Sequence, residues 1–235
     1  MLFRSCQTQG IVDDIVRRGF DENKIHLLTN GVDTKLFKKE NRDDNFRHEI
    51  GIENKFALCY AGIHGIAQGL EVIINAAEIV KDEENIQFIF VGDGPEKQDL
   101  INLAKEKGLN NVTFLPLQPK TNMPKIVASM DAAIIPLRKL ELFKGALPSK
   151  MFETLASEIP IILPVQGEAA KLINSANAGI VVEPENSKEI AEAVLKLYND
   201  IELRNDLGKN GRNYVMENYA RENITRKLEK VLVNL

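Results

Sequence analysis

The segment Lys144-Gly145-Ala146-Leu147-Pro148-Ser149-Lys150-Met151-Phe152-Glu153-Thr154-Leu155-Ala156 brings together the groups needed to hold an anion. A glycine loop runs into a helix whose start carries Pro148, a position where a missing N–H costs nothing. The free N–H groups of such a start form an anion site, and Lys150 in the first turn opposes the helix dipole unless a bound phosphate neutralises it. Helical spacing puts Ser149, Lys150 and Glu153 on one face and turns Met151, Phe152 and Leu155 toward a core. On an isolated helix the plainer reading would be better: solvent-facing Ser149 and Lys150, with Glu153 in a surface ion pair. The adjoining glycine loop and strand edge favour the functional one.

Two further glycine turns follow apolar runs. Gly62-Ile63-His64-Gly65-Ile66-Ala67-Gln68-Gly69 lets backbone approach a ligand, with His64 and Gln68 as its polar side chains. A histidine there is more often a surface residue than a functional one. The spacing, G-x-x-G-x-x-x-G, is not the dinucleotide fingerprint, and no acidic residue ends the next strand. Val91-Gly92-Asp93-Gly94-Pro95-Glu96 begins like G-x-G-x-x-G but has Lys97 in place of the last glycine, so turn geometry explains it and NAD binding is weakly supported. The histidines His26, His48 and His64 are scattered, and H-E-x-x-H, C-x-x-C, Asp-x-Asp and G-x-S-x-G are all missing from the sequence. Metal-ion and nucleophilic-serine chemistry therefore have no motif to rest on.

The elements that must position these loops alternate. Apolar runs at 25–28, 56–60, 86–91, 112–115, 132–135, 159–163 and 179–182 predict strands, several continuously apolar as in parallel strands covered on both faces. Leu70, Ile73, Ile74 and Ala77 follow helical spacing, and segments 95–107, 122–130, 148–157, 168–176 and 187–198 also read as helices. The alternation predicts an α/β, Rossmann-like, doubly wound parallel sheet with ligands beyond the carboxyl ends of its strands. After Tyr198 the pattern is helix alone, at 201–218 and 220–235. Ile224, Leu228, Val231, Leu232 and Leu235 form an apolar stripe on the last helix, expected to pack back onto the domain or to form a homodimer.

The composition is that of an ordinary globular protein, with 44% hydrophobic and 27% charged residues. A net charge of −4 without long single-sign blocks argues against nucleic acid as a partner. Cys6 and Cys59 are far apart, and Cys59 lies in an apolar run as a small core residue. No stretch has the length of a membrane span and no secretory h-region is present, so a cytoplasmic protein is expected. The opening residues look like the middle of a domain, and upstream sequence is expected to be missing.

The residues resemble the retaining glycosyltransferases of the GT-B fold, family 4 type, over nearly the whole chain. Asn30-Gly31-Val32-Asp33 with Phe37 resembles the segment opening the family's donor-binding domain, and Tyr60-Ala61-Gly62 with Gly69-Leu70 resembles its glycine loop. Phe90 to Pro95 resembles its G-x-G-P turn, and Phe152-Glu153 through Ile159-Pro160-Ile161-Ile162 its F-E-x-x-A…P-V-I signature. Of the family's E-x7-E pair, the second glutamate matches Glu153, while Gly145 stands at the first. The basic residues of the family's glycine loop are replaced by Ile63 or His64 and by Gln68. The G-x-H-G-x-A-Q-G-L and A-L-P-S-K-x-F-E strings are similar to a bacterial subgroup that transfers N-acetylated 6-deoxyhexosamines, such as N-acetylfucosamine, from UDP in surface-polysaccharide assembly.

The resemblance implies the C-terminal half of a GT-B fold. Residues 1–23 would be the tail of an acceptor domain, 24–199 the nucleotide-sugar domain, and 200–235 helices that pack on it or cross to the acceptor domain. It implies metal-independent transfer of a UDP-sugar with no cofactor. Glu153 would hold the ribose. Gly62, His64, Gln68, Lys144, Gly145, Ala146, Ser149 and Lys150 would surround the diphosphate, and Leu117 and Gln118 would border the base. No catalytic group is assigned. An acceptor glycan or lipid-linked saccharide would bind the missing domain, which could hold the protein at the inner membrane surface, and this chain alone would bind donor without transferring sugar at an enzyme-like rate. The rivals are a non-catalytic nucleotide-sugar module working with a separate acceptor chain, and a sugar-nucleotide epimerase of the same fold.

Overall fold

The computed structural model describes residues 4–233. The chain opens with β1 (Arg4–Cys6), α1 (Gln9–Arg17) and β2 (Ile25–Leu27). The two strands pair in parallel, Arg4 opposite Ile25 and Cys6 opposite Leu27, as a sheet of their own. The apolar run at 25–28, read from sequence as one more strand of the main sheet, thus belongs with β1. A strand's partner depends on distant residues, so the run alone could not reveal it. The Thr8 side chain caps α1 by accepting from the Ile11 amide at 3.3 Å. Val12, Ile15 and Val16 pack on Cys6 and Ile25, and the Gly10 amide donates to the Glu168 carboxylate.

After α2 (Asp44–Glu49) comes the parallel sheet: β3 (Phe56–Ala61), β4 (Ile86–Val91), β5 (Val112–Leu115), β6 (Ala132–Ile134), β7 (Ile161–Leu163) and β8 (Gly179–Val181). Its order is β5-β4-β3-β6-β7-β8, so the winding reverses between β3 and β6. The expected doubly wound architecture is present. Strand alternation divides the core in two. Leu58, Tyr60, Phe88 and Phe90 face α3 (Glu71–Ile79), α4 (Lys97–Glu106) and α8 (Ser187–Asn199), where Leu70, Ile73, Ile74 and Ala77 are buried as their spacing predicts. Ala57, Cys59, Ile89 and Val91 face Ile126 and Met130, contributed by α5 (Met123–Ala128) and the turn after it. Beyond β6 the same side is closed by α6 (Ser149–Ala156) and α7 (Glu168–Ala176), with Met151, Phe152, Leu155 and Ile173 on Ile161 and Leu163. Each such large side chain contributes about 1.5–3 kcal/mol on burial.

A buried arginine supports the amino ends of the strands. Arg47, 2% exposed, donates to the carbonyls of Ser129 at 2.6 Å, Ile52 at 2.8 Å and Lys55 at 2.6 Å, and pairs with Asp131 at 3.1 Å. Asp131 in turn accepts the Ala57 amide at 2.9 Å, so one carboxylate joins α2 to β3.

The closing helices are α9 (Ile201–Asn218) and α10 (Arg221–Val233). α9 packs on α6, α7 and α8, burying Leu207 and Val215. Where it ends, the Val32 amide donates to the Tyr219 carbonyl and the Arg221 amide to the Val32 carbonyl, both at 2.9 Å. The Arg212 guanidinium donates to the carbonyls of Phe37 and Ala156. α10 buries no residue: its first turn lies against Gly31, with Glu222 paired to Lys35 at 3.3 Å, while Leu228 and Leu232 are exposed and Ile224 and Val231 are half-buried. Leu235 lies outside the described residues. Among the described residues no helix is long and apolar enough to cross a membrane.

Candidate functional site

At the carboxyl edge, beside the point where the winding reverses, the turns after β3 and β4 lock together. The Gly62 amide donates to the Val91 carbonyl at 2.9 Å, the His64 amide to Asp93 at 2.8 Å, and the Glu96 amide to the His64 carbonyl at 3.0 Å. Gly92, at φ +136°, lies so close to Gly62 that a Cβ would overlap its carbonyl oxygen. Lys97, which breaks the dinucleotide pattern in the sequence, reaches back to cap this turn. Its ammonium donates to the carbonyls of Gly92 at 2.6 Å and Leu115 at 3.1 Å.

The first turn of α6 faces the Gly62 turn. Lys150 extends its ammonium over the Tyr60 ring, 4.4 Å from the centroid and 3.3 Å from Oη, and against the Cα of Gly62. A side chain at position 62 would displace it, so this glycine makes room for a lysine as well as a turn. Burial lowers the Lys150 pKa to about 8, opposed by the nearby Glu153 carboxylate. Burial likewise raises the Glu153 carboxyl above its ordinary range, against the pull of Lys150, Lys120 and Arg221. Desolvation thus leaves both groups poised for a partner that compensates their charge. They line one cavity of about 40 Å³ with Cys59, Ala61, Met123 and Thr154. The start of α6 has no side-chain cap; the Met151 amide donates to the Pro148 carbonyl at 3.0 Å, which leaves the amides of Ser149 and Lys150 to face a ligand.

The other residues singled out in the sequence divide. Ser149 and Leu117 are exposed at this edge, and Gln118 turns its amide to the Pro116 carbonyl at 3.3 Å. Gly145 has open space before it. The amides of Gly62 and Ala146 are already engaged, the latter with the Phe143 carbonyl at 3.0 Å, so Gly62 serves by being small and not as a donor. Lys144 is exposed and paired with Glu141 at 2.7 Å. Gln68 folds over its own loop toward Gly65. His64 is turned inward and fully buried among Tyr60, Phe90 and Phe114, with no hydrogen-bond partner for either ring nitrogen. Burial first, and then Lys97, lower its pKa to about 4. A neutral imidazole in an aromatic cage holds the loop to the core and offers no charge to an anion.

Sequence reasoning passed over Tyr60, the platform beneath Lys150, and Arg138, which braces the glycine loop. In the sequence Tyr60 is an aromatic ending an apolar run and the first residue of the glycine-loop resemblance, with no role of its own. Its Oη donates to the Ile63 carbonyl at 2.6 Å. Among the described residues no group of three or more His, Cys, Asp or Glu side chains could hold a metal ion.

Residues 41–214 match the family described as "Glycosyl transferases group 1". The alpha-D-kanosaminyltransferase of Streptomyces kanamyceticus is 30% identical over 173 residues, covering 73% of this chain and 44% of that protein. The chain spans about half the length of the curated relatives it matches. Among solved structures, Anabaena Alr3699/HepE in complex with UDP and glucose superposes with a TM-score of 0.85 at 19% identity, over 99% of this chain and 63% of that one. The C-terminal domain of LpcC, a glycosyl transferase group 1 family protein from Francisella tularensis, superposes with a TM-score of 0.70 at 23% identity, over 81% of this chain and 100% of that one.

Proposed function

Because this chain belongs to the group 1 glycosyl transferases, we propose that it is the donor-binding half of a retaining GT-B enzyme that takes a UDP-sugar without a divalent metal. The carrying observation is that Lys150, in the uncapped first turn of α6, reaches Gly62 while sharing one cavity with Glu153. In this reading the diphosphate lies between Lys150 and the first amides of α6, and Glu153 accepts the ribose hydroxyls. Leu117 and Gln118 border the base. As the bond from the sugar's anomeric carbon to the phosphate oxygen breaks, the leaving diphosphate gains negative charge. In this reading Lys150 and the helix start stabilise that charge. The incoming bond comes from an acceptor hydroxyl held by a separate domain, its proton passing to the leaving diphosphate, which gives the acceptor glycan or lipid-linked saccharide its place.

A relative named for kanosaminyl transfer and a structural neighbour bound to UDP and glucose support a nucleotide-linked sugar as donor. The A-L-P-S-K-x-F-E string supports an N-acetylated amino sugar within that class. The test is calorimetry of this chain with UDP-, GDP-, ADP- and dTDP-sugars, with and without EDTA. UDP-sugars should bind equally well in both conditions. Binding abolished by the chelator, or a stronger response to another base, would refute the reading.

A further inference from the structure

The loop that approaches the diphosphate is held at its start by the Gly92 turn, Tyr60 and His64, and at its far end by Arg138. Its middle, Ile66–Gln68, is a 3-10 turn without a side-chain cap, and α3 after it also starts without one. Arg138, just beyond β6, answers both deficits. Its backbone amide donates to the Ala67 carbonyl at 3.0 Å, and its Nε donates to the Ile66 carbonyl at 2.7 Å. The same guanidinium pairs with Glu71 in the first turn of α3 at 2.8 Å and with Glu185, ahead of α8, at 3.3 Å. Gly69, at φ +58°, lets the loop close onto it: a Cβ there would lie 3.2 Å from the Arg138 Cγ.

We propose that Arg138 is a positioning residue for the diphosphate, setting where the Gly62–Gly69 loop stands relative to Lys150 without touching the ligand. The inference rests on the donor reading above. Arginine suits the task because its planar fork serves a carbonyl and two carboxylates at once, which a lysine ammonium cannot do with the same geometry. Supporting hydrogen bonds of this kind are worth roughly tenfold or more in affinity at metal sites, and a comparable loss is expected here.

The experiment compares the unsubstituted chain with Arg138→Ala and Arg138→Lys. UDP binding is measured by calorimetry, uridine binding by NMR titration, and melting temperature alongside. Arg138→Ala should weaken UDP about tenfold and uridine by less than about twofold, on the scale of such supporting contacts. Ethylguanidinium should restore UDP affinity to the alanine variant. Arg138→Lys should fold and fall between the two. Unchanged UDP affinity, equal losses for UDP and uridine, or no rescue in a folded variant would overturn the proposal. Failure of the unsubstituted chain to bind UDP would overturn the donor reading and this inference with it.

Discussion

Raising the pH from 7 to 9 should weaken UDP binding about tenfold, and Lys150→Ala should remove that dependence. In the free protein the Lys150 ammonium titrates at about 8, lowered from 10.5 because it is buried against Tyr60 and Gly62. A diphosphate beside it favours the charged form, so its pKa rises in the complex. With the complex still protonated at pH 9, the apparent Kd rises as the reciprocal of the charged fraction of the free protein: a factor of about 1.1 at pH 7 and about 11 at pH 9, or about 1.4 kcal/mol between them. The sign for folding is opposite. Between about 8 and 10.5 the unfolded chain binds more protons at this lysine than the folded one, so the group's contribution to stability rises with pH through that window. Ligand-free stability and UDP affinity should therefore respond to pH in opposite directions. Calorimetry at pH 7, 8 and 9 in two buffers of different ionisation enthalpy measures both affinity and proton uptake, with about half a proton taken up per UDP at pH 8. A flat Kd in the unsubstituted chain, or the same slope in Lys150→Ala, would refute the placement of the phosphate at Lys150.

Glu153→Ala should cost about 1–3 kcal/mol of UDP affinity and penalise uridine as much, since the contact is to ribose; undiminished UDP binding in calorimetry would leave Glu153 a structural role. Gly92→Ala forces a Cβ into the Gly62 carbonyl at φ +136° and should destabilise by about 3 kcal/mol or more. Gly145→Ala, facing open space, should stay within about 0.5 kcal/mol, and similar urea midpoints for the two variants would contradict the interlocked turns. Arg47→Met strips three carbonyls and Asp131 of their donor and should cost about 3–5 kcal/mol in urea unfolding. A loss under about 1 kcal/mol would show that the buried guanidinium is dispensable.

The parallel sheet was legible because its strands announce themselves locally: Phe56-Ala-Leu-Cys-Tyr and Ile86-Gln-Phe-Ile-Phe-Val are apolar runs that only a sheet covered on both sides could bury. Lys150 and Glu153 were legible for a similar reason, since helical spacing alone puts them on one face. β1 was not, because Arg4-Ser5-Cys6 is too short and too polar to read as a strand until Ile25–Leu27 is beside it. The inward turn of His64 depends on Phe90 and Phe114, contributed by two other strands. By sequence Lys144 is as eligible as Lys150, and the difference between an exposed lysine paired with Glu141 and one turned inward over Tyr60 is set by the fold. Arg138 lies far in sequence from the loop it braces, so no spacing rule could connect them.

The bridge between Val32 and Ala220 bears on how force enters the molecule. The stretch that follows β2 meets the junction of α9 with α10 at one place, and the two are stitched by hydrogen bonds at Val32. Two segments tied at one place cannot part independently, so a pull on either end of the chain would be shared at the stitch before it reached the sheet.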